Sequence, residues 1–494
     1  NNQAGLIQGH KTTIDAASLD NSNTLDAGGI IAEQALSVQL TQTLNNQSGN
    51  IAGDSVQANV ANIDNGQGAI QANGALKLTA TKFIDNSAGT IASAGAVNLS
   101  SATLTNAQKG YIASKTQVGI QAGGIINQTG VIVSDQTVKL SGDTLNNQQG
   151  QIQGKDLTVN VTNIDNSNTA TTGGLTGTAS LNLTATSLTN HAGYVAGQQA
   201  ILNSDTIDNS QKGVMVGVDS LSLTGQTLNN QTGQISATGD IDVQEGRVDN
   251  SAGLISTQAN LTMGSGGALT HLTNSAGQIL AGQSTDIHAT DVLNDAGLIR
   301  AKDLTVHADS ITNTHSGTTG GMVGDSQLTL NTQGALNNTA GYIAGDTTQI
   351  DSATLDNSTG TITGLNQLSI ETGKLTNAQG NIASNVQATV ISSELANTQG
   401  HIGASALTVN TGTLNNSQGE VIGSTTANLT ATDINNTGGW LQSKALTINT
   451  NTLDNGLAGI VLGNQTLDIT ANSSIDNAGT IQAGDEAQKG TAHL

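Results

Sequence analysis

Residues 46–65 read NQSGNIAGDSVQANVANIDN. Gly49 stands three residues after Asn46, and Ile51 two residues after that glycine. Val56, Ala58 and Val60 then alternate with Gln57 and Asn59, and Ile63 leads to Asn65, where the phrase begins again. Apolar residues at a period of two, in runs this short, mark strands rather than helices. Gly, Asn, Asp and Ser between the runs supply turn chemistry. Some 20 residues holding three short strands and three turns describe one turn of a triangular parallel β-helix. Each coil would bond to the coils above and below it, about 4.8 Å away.

The phrase recurs along the whole chain. Its asparagine follows an apolar–polar pair at Asn2, Asn21, Asn46, Asn65, Asn86, Asn106, Asn127, Asn147, Asn166, Asn190, Asn209 and Asn230. It continues at Asn250, Asn274, Asn294, Asn313, Asn338, Asn357, Asn377, Asn397, Asn416, Asn436, Asn455 and Asn477. These 24 asparagines have a mean step of about 20.7 residues, a period that signals a stacked array. Gly lies three residues after 17 of them. The position two past that Gly is aliphatic (Ile70, Ile91, Ile112, Val195), and the one between is mixed (Ala69, Thr90, Tyr111, Tyr194). Neighbours in a strand face opposite sides, so the aliphatic position should face a core and the mixed one solvent. The expected fold is all-β, a right-handed parallel β-helix of about 24 coils, running continuously over 1–494 without caps. Its stacked length would be roughly 110 Å. The asparagine is expected to take left-handed backbone angles at a turn. Its amide is expected to pair with the same amide in the next coil, as a ladder.

A longer period overlies the first. Four steps are distinctly longer than the others, and three of these follow Asn21, Asn166 and Asn313, in NSNTLDAGG (21–29), NSNTATTGG (166–174) and NTHSGTTGG (313–321). These asparagines are seven coils apart. Lys155-Asp156-Leu157-Thr158-Val159 matches Lys302-Asp303-Leu304-Thr305-Val306 on the same long period. The chain therefore reads as duplications of a seven-coil block, with the lengthened turns protruding along one edge. The fourth long step, through Gly264-Ser265-Gly266-Gly267, falls outside this scheme.

Composition agrees with a solenoid. Aromatics total five residues, too few for ordinary compact cores, which draw much of their buried area from them. Proline and cysteine are absent. Proline cannot donate to a β-ladder, and without cysteine there are no disulfides or thiolate metal sites. The net charge of −22 disfavours nucleic acid or an anionic membrane as partner. No apolar run is long enough to span a bilayer. The chain opens inside a repeat, as expected of a piece of something longer.

Candidate chemistry is sparse. The eight histidines show no ligand spacing along the sequence and read as surface residues, so no metal or cofactor is expected. An aspartate often precedes the repeat asparagine, as at Asp64, Asp85 and Asp165. A column of them could bind calcium, but Thr105, Asn229 and Ala396 hold the same place in other coils, which favours solvated turn residues. Tyr111, Tyr194, Tyr342 and Trp440 all occupy the outward position directly after the repeat glycine. Exposed aromatics can anchor proteins or glycans, although isolated ones are common.

The pattern x-Leu-x-Asn-x-x-Gly-x-Ile-x-Ala/Gly, followed by Leu-x-Leu-x-Ala, resembles the filamentous haemagglutinin repeat. Residues 83–106 and 355–377 carry it clearly. The resemblance covers essentially the whole chain. It implies a secreted bacterial surface exoprotein, exported through an outer-membrane transporter by two-partner secretion. Relatives of that kind serve as adhesins, biofilm matrix proteins or contact-dependent growth-inhibition effectors. The absence of Cys and Pro fits passage of an unfolded chain through a pore, because proline isomerisation takes tens of seconds.

The leading expectation is a monomeric, non-enzymatic stalk that holds a distal binding or toxin region away from the cell. The alternative is that the coils themselves bind a receptor or surface glycan, through the protruding turns or the aromatics. A polysaccharide-cleaving enzyme is disfavoured by the regular coils and by just two arginines, Arg247 and Arg300. Ice binding is disfavoured because Thr-x-Thr pairs such as Thr79/Thr81 are not sustained from coil to coil.

Overall fold

A computed structural model describes all residues except Ala27, Ala268, 485–489 and Leu494. The described chain has no helix, is about 70 % strand, and winds as a parallel β-solenoid of about 24 turns of roughly 20 residues. It divides into two compact units, 1–245 and 246–494.

The coil at 46–65 shows how the sequence makes the turn. A first side runs Asn50–Gly53, and a second and third are joined in Ser55–Asp64. Against the following coil, the register of this strand shifts between Val60 and Asn62. That irregularity is the corner between the second and third sides. Strand alternation points Ile51, Val56, Ala58, Val60 and Ile63 inward, all at most 4 % exposed.

Stacking in register makes each inward position a column. In the first unit Ile51 pairs with Ile70, Ile70 with Ile91, Ile91 with Ile112, and Ile112 with Ile132. In the second, Met322 pairs with Ile343, Ile343 with Ile362, and Ile362 with Ile382. A single coil cannot bury its apolar side chains alone, whereas a stack does so continuously. This explains a core with almost no aromatic residue.

The turn after each asparagine departs from expectation. None of the 24 repeat asparagines has positive φ; in the coils from Asn2 to Asn436 the residue two places later does, as at Ser48 (φ 49°), Gln67 (58°), Ala88 (53°) and Thr129 (57°), and after Asn455 it is Ala458 (62°), three places on. The asparagine side chain is committed to the column, so the left-handed step falls on a residue whose side chain is free to point outward. That step costs roughly 1–2 kcal/mol for a residue with a Cβ. The offset comes from the hydrogen bond that closes the turn, Gly49 N–H to the Asn46 carbonyl at 2.9 Å.

The repeat glycine is required by space, not by φ. A Cβ on Gly68 would meet the backbone carbonyl of Asn46 and lie 2.8 Å from Oδ1 of Asn65.

Candidate functional site

The asparagine column is the most regular polar feature of the protein. From Asn21 to Asn455 every member is fully buried, while Asn2 is 8 % exposed and Asn477 is exposed. In the first unit Nδ2 of Asn46 donates to Oδ1 of Asn65 at 2.7 Å, Asn65 to Asn86 at 2.7 Å, and Asn86 to Asn106 at 2.7 Å. The second unit repeats this from Asn250, which donates to Asn274 at 2.7 Å, through to Asn455, which donates to Asn477 at 2.7 Å. Each of these links runs in the same direction along the chain. Nδ2 of Asn46 also reaches the carbonyls of Gly49 (3.2 Å) and Ala69 (3.1 Å). The buried amide is thereby satisfied on both sides.

The lengthened turns use a different device. At the glycine position they carry Thr24, Thr169 and Ser316. In ordinary coils the carbonyl of the repeat glycine accepts an N–H from the next coil, as Gly49 does from Ala69 at 2.8 Å. In the lengthened turns a hydroxyl accepts instead: Thr24 from Asn50 (3.0 Å), Thr169 from Tyr194 (2.9 Å) and Ser316 from Tyr342 (2.9 Å). The chain then makes its excursion and rejoins the ladder at Gly29, Gly174 and Gly321, all at positive φ. Exposed tips result at Leu25 and Asp26, 170–172 and 317–319; Ala27 lies outside the described residues. Asp295 braces the third turn. The Thr314 hydroxyl and the His315 ring, each 2.7 Å from its carboxylate, hold Asp295 below its ordinary pKa.

Of the four aromatics, Tyr111 and Trp440 are 41 % and 38 % exposed, and Tyr194 and Tyr342 are half-buried. Within each unit they stand several coils apart, so the structure does not gather them into one site. Tyr111 does line a shallow groove of ≈ 660 Å³ on the first side of the coils, together with Ala52, Ala92 and Ala113.

Histidine pairing escapes a reading along the sequence. His10–Glu33 (3.1 Å), His191–Asp208 (2.8 Å), His271–Asp291 (3.1 Å), His315–Asp295 (2.7 Å) and His401–Glu420 (3.0 Å) each join neighbouring coils. Their separations of 17 to 23 residues are one coil, so the period itself is the signal that could have found them. His288 and His307, one coil apart in sequence, face each other in register, with ring centroids 4.8 Å apart. Asp286 completes a group of three whose ligand atoms all lie within 4.8 Å of one another.

One core acid stands out. Glu245 is fully buried and neither carboxylate oxygen has a hydrogen-bond partner. Burial pushes its pKa up to about 8.

A stacked parallel solenoid with a buried polar column in each unit defines a β-helical repeat protein. The chain belongs to the haemagglutinin repeat family, whose profile matches residues 1–101, 92–168, 154–244 and 443–494. Between the last two spans the same asparagine links continue, as from Asn338 through Asn357 to Asn377. No curated protein and no solved structure matches the chain. The family's solenoid is a structural fold and not a known enzyme family.

Proposed function

We propose that the chain is a stalk segment of a secreted, surface-associated bacterial exoprotein. It would project a distal adhesive or toxin region toward other cells after export through a two-partner outer-membrane transporter. The observation that carries this reading is the unbroken polar column within each unit. A side chain that could serve recognition is spent, coil after coil, on stacking. The step from Asn230 to Asn250 has the same length as ordinary steps inside each unit, and supports one continuous stalk across 1–494. Deleting one seven-coil block from the parent exoprotein tests the reading. A spacer predicts shorter filaments by electron microscopy, by about 34 Å, with distal activity kept in kind. Loss of that activity with filament length unchanged would count against it.

The second reading is binding by the coils themselves. The exposed turn tips and the groove lined by Tyr111 favour it. Glycan-array and cell-binding measurements on the purified chain separate the two. A spacer gives no saturable binding, whereas a binding module gives binding that Tyr111→Ala or a shortened 166–174 turn abolishes.

A further inference from the structure

We propose that Asp286, His288 and His307 form a binding site for a late first-row divalent transition ion such as zinc, nickel or copper. Asp286 and His288 lie two residues apart on the strand Ser284–Leu293 and so project from the same outer side. His307 occupies the register position of His288 in the next coil. Parallel stacking thus brings an imidazole, a second imidazole and a carboxylate together, although a full coil separates the two histidines along the chain.

Two observations point to an ion rather than to a simple charge pair, beside a ligand spacing that suits one. Nε2 of His288 and Oδ1 of Asp286 are 3.1 Å apart. Two ligands bound tetrahedrally at zinc–ligand lengths of about 2.0–2.1 Å are separated by about 3.3 Å. Oδ1 of Asp286 is buried and accepts no hydrogen bond despite that proximity. The Asp286 side chain is 47 % exposed, so its charge stays solvated, and a bound cation would give this one shielded oxygen a partner. The His288 and His307 rings are nearly parallel, at 23°, and both edge a groove of ≈ 360 Å³ that Gly267 and Leu269 also line. The glycine-rich step at 264–267, which the seven-coil scheme leaves unexplained, therefore borders the site. Two nitrogens and one oxygen suit zinc, copper or nickel better than calcium or magnesium, which prefer all-oxygen shells. The groove leaves room for water to complete the coordination.

The other histidine–carboxylate contacts offer two ligands each and serve as internal controls, for example His401 with Glu420. The test uses the full chain, purified without a histidine tag and titrated with Zn²⁺ and Cu²⁺. Wild type should bind one tight equivalent by calorimetry, and its Cu²⁺ electron paramagnetic resonance should show coupling to two nitrogens. His307→Ala should reduce affinity by more than the roughly 10–100-fold that loss of an outer-shell partner costs, and leave one coupled nitrogen. Asp286→Asn keeps the shape of the strand and should also weaken binding. It decides the matter if a histidine variant loses its β-sheet circular dichroism. His401→Ala should bind as wild type does. No tight equivalent in wild type, or unchanged affinity in His307→Ala and Asp286→Asn, overturns the site.

Discussion

Nδ2 of Asn357 donates to Oδ1 of Asn377 at 2.7 Å, while Oδ1 of Asn357 accepts Nδ2 of Asn338 at 2.7 Å. One side chain is therefore donor upward and acceptor downward in a fully buried column. Asn357→Ala strips a partner from each neighbour and from the carbonyls of Gly360 and Asn381. The expected cost is about 2–4 kcal/mol. In a solenoid each coil contacts only its neighbours, so the damage should stay local. Hydrogen exchange should show lost protection in the coils around 338–381 and unchanged protection in distant coils. Asn357→Asp should be worse, because a carboxylate cannot donate and its charge would be buried.

Glycine is needed in two unlike ways, and alanine substitutions should separate them. At Gly68 a methyl group meets the Asn46 carbonyl, and Gly68→Ala should destabilise its coil by about 2–4 kcal/mol. At Gly267 (φ 76°) a Cβ meets nothing within 4 Å, so Gly267→Ala should cost only the left-handed strain, about 1–2 kcal/mol. Paired thermal melts of the two variants test the order.

Thr169 Oγ1 accepts Tyr194 N–H at 2.9 Å and donates to the Asn166 carbonyl at 3.0 Å. Thr169→Val preserves shape and removes both bonds, at a cost of about 1–3 kcal/mol. Exchange of the Tyr194 amide should accelerate in this variant. Thr169→Ser, which retains the hydroxyl, should restore slow exchange.

Glu245 makes stability depend on pH in a defined direction. Its pKa rises from an ordinary 4.5 to about 8 in the folded chain, so the folded state holds the proton more tightly than the unfolded state. Relative stability is greatest below pH 4.5, falls between 4.5 and about 8, and is level above. At about 1.4 kcal/mol per pKa unit, the loss is a few kcal/mol. Protection of the coil around Glu245 should fall over that window. Glu245→Met, which fills similar volume without a charge, should flatten the profile and stabilise the coil at pH 8.

Much of the coil was legible in residues 46–65. Period-two alternation at Val56, Ala58 and Val60 required strands, and recurrence of Asn and Ile fixed the stacking register. The ladder followed because identical polar side chains in a stacked column must satisfy one another. What the linear pattern misplaced was the left-handed step, assigned to the asparagine and found two residues later. Propensity ranks Asn as the favoured left-handed residue, but its side chain was already committed to the column.

Sequence alone determined the period, the inward and outward faces and the polar column, because these rest on short-range alternation and on repetition. Only the tertiary structure decided how Thr24, Thr169 and Ser316 replace the repeat glycine. Only the structure, likewise, seated Glu245 in the core and set His307 against His288 beside Asp286. The hydroxyl bonds and the His288–His307 pairing join residues a coil apart, and the length of a coil is not constant along the chain. Which side chains meet is set by the path of each turn, and that path exists only once neighbouring coils have paired.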